Sequence, residues 1–146
     1  MGFDLSAQNR SLHDSGYFRA NLYQMIMLRA AMVAAGVAKN LIYKKFVGND
    51  GFLVTELQSR QIAEKLTTWL KGRNLLLDLA EQDEGARTVN EAYLKLLLRV
   101  ADHDQIKLAK LFLTRKSLPL KVDSRVRRMI RKFADFSHGS GGFTVD

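Results

Sequence analysis

The sequence predicts an α+β domain that is mostly helical, with a small sheet of short strands near both termini and around residues 52–54. Three observations carry this. Period-2 alternation marks "MGFDLSA" at 1–7 and "GFTVD" at 142–146, and "FLV" at 52–54 is a short β-prone run. Most other apolar residues recur at helical spacing. Gly, Asn, Asp and Ser gather in short punctuating stretches rather than in one long linker. The chain has 146 residues, 47% of them hydrophobic, and one proline, which suits a single domain, 1–146, with a real core.

The elements follow in order. In the first strand Phe3 and Leu5 point one way, Asp4 and Ser6 the other. "QNRSLHDSG" at 8–16 is a loop. The spacing predicts a helix opening at Tyr17 or Phe18, with apolar positions 18, 22, 25, 26, 30 and 33. Met27, Leu28 and Met32 fill most of its other faces, so it is covered nearly all round, and Gly36 suits an αL cap. "NLIYKKFV" at 40–47 reads as a short helix. "GNDG" at 48–51 is a turn that launches the strand "FLV". Thr55 and Gln58 have capping-box spacing. The helix beyond them carries Leu57, Ile62, Leu66, Trp69 and Leu70 on one side and ends at Gly72.

"NLLLDLAEQDEG" at 74–85 is expected to be a shorter helix closed by Gly85. Residues 87–101 form a helix with an apolar stripe at 89, 93, 96, 97 and 100. "DHD" at 102–104 breaks it, and Asp104 is expected to cap a helix through Leu113. "RKSLPLKV" at 115–122 is a connector marked by Pro119. Asp123 caps a last helix that turns Val126, Met129, Ile130 and Phe133 inward. "SHGSGG" at 137–142 is a flexible turn before the final strand.

Several chemistries lack their residues. There is no cysteine, which excludes disulfides and cysteine-ligated zinc and fits a reducing compartment such as the cytoplasm. His13, His103 and His138 stand outside any metal-ligand spacing, and the neighbours in "DHD" point apart on a helix. "GNDGFLVT" lacks the lysine and spacing of a P-loop and the alternating acids of a calcium loop. "GSGGF" at 139–143 follows a helix instead of preceding one, so no helix N-terminus backs it as a phosphate loop. No metal, no cofactor and no catalytic residue is expected. The start has neither a basic n-region nor an apolar h-region. Gly2 and Ser6 fit a myristoylation pattern short enough to match by chance. Residues 20–38 are the most apolar stretch, but Asn21, Gln24 and Arg29 interrupt them, which favours a buried helix over a membrane span.

Charge is the strongest physical signal. Residues 107–132 hold ten Lys or Arg against one Asp, while the whole chain nets +8. The excess therefore belongs to one segment. On its last helix Arg125, Arg127, Arg128, Arg131 and Lys132 lie opposite the apolar side, and Lys121 precedes them. Such a face can neutralise several phosphates, or meet an acidic protein partner. The bland reading is a solvated face paired with Asp78, Glu81, Asp83 and Glu84. No aromatic residue interleaves with these bases, so single-strand stacking gets no support.

"MGFDL" at the start, "GYFRANLY" at 16–23, "NDGFLVTELQSRQIAEKL" at 49–66 and "FADFSHGSGGFTVD" at 133–146 occur in that order. Together they resemble a family of small uncharacterised proteins of phages, prophages and bacteria, whose members begin MG-[FLM]-D and carry a YFR-x-N block. An NDG turn with a following helix and an SGGF ending complete the family pattern. About a third of the positions carry the likeness, and 73–132 hold none of its motifs. Members with Trp-rich continuations after YFR differ from the "LYQMIML" found here. The resemblance implies phage-associated biology and no established activity: an accessory binding protein, or an inhibitor of a host protein. If the terminal strands and "FLV" share one sheet, Tyr17, Arg19, Asn49, Asp50 and Ser140 are expected to converge as a junction site for a small enzyme or ligand-binding protein.

Overall fold

A computed structural model describes residues 2–9, 16–48, 50–80, 83–99, 102–114 and 117–146. Its elements are β1 (Gly2–Ala7), β2 (Tyr17–Asn21), α1 (Leu22–Ala34), α2 (Lys39–Lys45), β3 (Phe52–Val54), α3 (Glu56–Trp69), β4 (Leu76–Asp78), α4 (Glu84–Leu97), α5 (His103–Thr114), β5 (Pro119–Lys121), α6 (Ser124–Gly139) and β6 (Phe143–Val145). The fold is α+β and predominantly helical, as the pattern predicts.

The two terminal strands and "FLV" do share one sheet. It is antiparallel, in the order β2-β1-β6-β3. Leu5 pairs with Val145, and Phe52 with Val145 from the other side. The period-2 pattern sends Phe3, Leu5, Ala7, Phe143, Val145 and Val54 into the core. It leaves Asp4, Arg19 and Leu53 on the outer face. α6 covers the inner face: the Phe133 ring lies 5.5 Å from Phe18 and 6.2 Å from Phe143, and Phe136 lies 5.3 Å from Phe143. α3 runs antiparallel to α6. The Ser137 hydroxyl donates to the Ser59 carbonyl at one end of the pair, and Arg127 reaches the Leu70 carbonyl at the other.

The α1 boundary differs from expectation. "YFRAN" is a strand paired with β1, with Phe3 opposite Ala20 and Leu5 opposite Phe18. The helix begins one element later, at Leu22, under a capping box. Gln24 N–H donates to Asn21 Oδ1 at 2.8 Å, and Asn21 N–H donates to Gln24 Oε1 at 2.9 Å. Phe18 stands four residues before Leu22, a spacing that mimics a helix. α1 is buried nearly all round and ends as read: Gly36 takes φ +87°, its N–H donates to Val33, and Val37 N–H donates to Met32. α3 starts on the expected box, with Gln58 N–H on Thr55 Oγ1 at 3.2 Å. Leu57 is 67% exposed, so it stands off the inward stripe of Ile62, Ala63, Leu66 and Leu70.

The middle of the chain departs most. Residues 74–80 form no helix, and 84–85 belong to the helix that follows. Leu76–Asp78 forms β4, which pairs with β5 in a second, two-stranded sheet, Leu77 opposite Leu120 and Asp78 opposite Pro119. The "PLK" within the expected connector "RKSLPLKV" is thus a strand. Gly85 lies inside the first turn of α4, which Asp83 caps by accepting Ala86 N–H at 2.7 Å. α4 buries Ala86, Asn90 and Leu94, while Leu96 is 59% exposed. The expected stripe was therefore rotated; the side chain of Leu97 and all of Val100 lie outside the described residues. A break does separate α4 from α5, but Asp104 sits in the first turn of α5 and not at its cap. "SHGSGG" is not a flexible turn. α6 continues to Gly139, and Ser137 and Ser140 are buried and hydrogen-bonded. A Cβ on Gly142, which has φ +97°, would fall 2.8 Å from the Val54 carbonyl oxygen, so glycine is required there.

Candidate polyanion interface

Asp123 starts α6 by accepting the Val126 N–H at 2.9 Å. From there the apolar spacing decides the rotation of the helix. Ile130 and Phe133 are fully buried, and Val126 and Met129 pack partly against the core. The opposite face holds Arg125, Arg128, Arg131 and Lys132, all exposed. At 1.5 Å per residue these four span roughly 10 Å of helix. None of them makes an ion pair among the described residues. Lys121, exposed at the end of β5, lies just before the cap.

Arg127 has another position. It is half-buried, and its guanidinium donates to the Leu70 carbonyl and, at 3.2 Å, to the Gly72 carbonyl. These carbonyls lie just past α3, where the helix leaves acceptors unsatisfied and its dipole is negative. Arg127 therefore caps α3 and fastens the start of α6 to its end. Lys71 and Arg73 flank the Gly72 carbonyl and are exposed. Their sequence signal is "KGRN" directly after a helix, a basic pair on a turn whose relation to α6 is set only by tertiary contact.

Two of the four acidic residues offered as partners for this face, Asp78 and Asp83, are employed elsewhere. The Asp78 carboxylate accepts Ala80 N–H at 3.1 Å, Leu118 N–H at 3.2 Å and the Ser117 hydroxyl at 3.4 Å. Asp83 caps α4. Glu81 lies outside the described residues.

The junction residues meet only in part. The Tyr17 hydroxyl donates to Asp4 Oδ1, and Arg19 Nε lies 3.5 Å from the same oxygen. The hydrogen bond to Asp4 raises the phenol pKa above its ordinary 10.0. Arg19 is in register with Asp4, and Asp4 exchanges both backbone hydrogen bonds with Asp146 at 2.8 Å. Gly51 N–H donates to the Val145 carbonyl, which places Gly51 beside Asp146 and Asp50 one residue beyond it. Asn49 lies outside the described residues. Ser140 precedes the other end of β6, where its carbonyl accepts Asn9 N–H, five residues along the chain from Asp4. Its hydroxyl donates to the Ser137 carbonyl and accepts Gly142 N–H, both at 3.1 Å.

Several concavities open among the described residues. An apolar cavity of ≈40 Å³ lies beneath Tyr23, Met27, Leu94 and Phe112. It has room for little more than one water and offers no polar partner. An open groove of ≈870 Å³ runs between α3 and α6, past Thr67, Lys71, Asp135 and His138. No group of three or more His, Asp or Glu residues among the described ones is placed to hold a metal ion. No described helix is long and apolar enough to cross a membrane. Comparison of the chain with protein-family models, with curated proteins and with solved structures finds no match.

Proposed function

We propose that this chain is a non-enzymatic binding module that presents the basic face of α6 to a polyanion, with a nucleic-acid backbone as its first ligand class. On the resemblance of its terminal motifs, it is a phage- or prophage-associated accessory protein acting in the cytoplasm. One observation supports the reading above the others: Arg125, Arg128, Arg131 and Lys132 share one exposed helix face with no ion-pair partner among the described residues. A solvated face would be expected to offset part of that repulsion with nearby acids. Of the acids nearest in sequence, Asp123 caps α6, and Asp135, exposed one turn past Arg131, makes no ion pair among the described residues. The junction of "NDG" and "SGGF" carries less chemistry, because the Ser140 hydroxyl is consumed within its own turn.

The test is fluorescence anisotropy of a labelled DNA duplex titrated with the protein across salt concentrations. Binding should weaken linearly in log[salt], with a slope of roughly −3 to −4 if four phosphates are neutralised. Replacing the four cations by Ala should remove most of that slope. No binding at low salt would reject the reading. An acidic protein partner, including a host protein that the chain inhibits, would use the same face. It would show as capture of that protein, lost in the four-cation variant, with no affinity for the duplex.

A further inference from the structure

We infer that the polyanion site extends from α6 onto the turn after α3, with Lys71 and Arg73 as a second set of phosphate contacts and Arg127 as the residue that positions them. This rests on the reading of α6 just given, and it commits the ligand to a double-stranded backbone. Residues 70–75 are fastened to the base of α6 at two points. Arg127 donates to the carbonyls of Leu70 and Gly72, on either side of Lys71. Three residues further on, the Leu75 carbonyl accepts Val122 N–H at 3.0 Å, one residue before the Asp123 cap. The turn between these anchors is tight. Lys71 N–H donates to Thr68, Gly72 N–H donates to Trp69, and Asn74 takes φ +54°. A Cβ on Gly72 would lie 2.9 Å from Leu75 Cδ2.

The turn is therefore a fixed platform beside α6, and its two cations face solvent without an ion pair among the described residues. Arg127 has both terminal nitrogens on carbonyl oxygens, so it organises the site and does not contact phosphate. Neither 70–75 nor 121–132 contains an aromatic residue. Cations without a stacking platform recognise the backbone and not unstacked bases, and a duplex offers the denser row of phosphates.

The experiment uses the full chain, one labelled duplex, its single strand and polyglutamate as competitor, with the salt slope as readout and circular dichroism to check each fold. K71A/R73A should keep its thermal midpoint and lower the slope magnitude by about 1.8, two contacts at ~0.9 each. R127M should also lower the slope, but should lower it no further in the K71A/R73A background, because it acts through those two residues. Wild-type binding with an unchanged slope in K71A/R73A would overturn this inference and leave the α6 reading standing. A further loss from R127M in the K71A/R73A background would show that Arg127 contacts phosphate itself and would overturn its positioning role. Tighter binding of the single strand, or equal competition by polyglutamate, would overturn the duplex assignment. No binding by the wild type would remove both readings.

Discussion

The half of the molecule built on the four-stranded sheet and the half built on β4 and β5 are closed in different ways. In the first, Phe18, Phe46, Phe133, Phe136 and Phe143 pack ring against ring, with neighbouring centroids between 5.3 and 6.2 Å. Its helices α3 and α6 are joined at both ends by side chains that satisfy backbone carbonyls. In the second, α4 and α5 close over an apolar void and a buried polar pair. Arg29, fully buried in α1, donates to the Phe46 carbonyl at 2.8 Å and to Asn90 Oδ1 of α4 at 2.7 Å. Burial lowers its pKa to about 10, so it remains charged at neutral pH. Asn90 Nδ2 is buried without a partner among the described residues. One hydrophobic core connects the halves, but its second end trades packing for polar contacts that stabilise less and demand exact geometry. The lesson is that α4 and α5 should open first, while α6, with the 70–75 turn tied to it by Arg127, stays on the better-packed side.

The largest expected effect breaks the first half. Phe133→Ala should destabilise by about 3–5 kcal/mol in urea unfolding, because the ring is fully buried against three others. Phe112→Ala, beside the existing cavity, should cost less; equal costs would erase the contrast. Next comes the polar pair. Arg29→Met should lose about 1–3 kcal/mol by stranding the Phe46 carbonyl and the Asn90 amide. Adding Asn90→Leu should recover much of that loss, since an apolar pair of similar volume leaves less polarity unsatisfied. A double variant worse than the single would show that the pair holds α4 specifically.

The caps come third. Thr55→Ala and Asp83→Ala should each cost about 1 kcal/mol. They should differ in hydrogen exchange: the α4 variant should speed exchange in α4 and α5 alone, whereas the α3 variant lowers protection across the sheet. The smallest effect is on the outer face. The neutral Tyr17 phenol donates to Asp4, so its folded pKa lies above 10.0. The stability this bond contributes is full below pH 10 and is lost as pH rises through the folded value. Ultraviolet titration should place Tyr17 lower in Asp4→Asn; an unchanged titration would detach the phenol from Asp4.

The same division governs what the sequence disclosed. Strands at both ends, "FLV", the Thr55 box, the Gly36 cap and the Asp123 cap were all legible, because each is written within a few residues. The capping box at Asn21 and Gln24 was equally local, but the helical spacing of Phe18 and Leu22 hid it. β4 was illegible for a different reason. "LLLDL" becomes a strand only because "PLK", more than 40 residues later, lies beside it, and the pairing leaves Leu76 60% exposed and Leu77 buried. The basic face was readable from helical period alone. The separate duty of Arg127 was not, since nothing in "SRVRR" announces that one arginine turns back to two carbonyls of another helix. For the same reason Lys71 and Arg73 gave no sign of belonging with α6.

Chemical-shift mapping tests the central claim most directly. Isotope-labelled protein titrated with a short DNA duplex at low salt should show amide shifts concentrated at 71–73, 121–125, 128 and 131–132, with the outer sheet face and α4 unmoved. Shifts centred on Asp4, Tyr17 and Arg19 instead, or no shifts at saturating duplex, would contradict it.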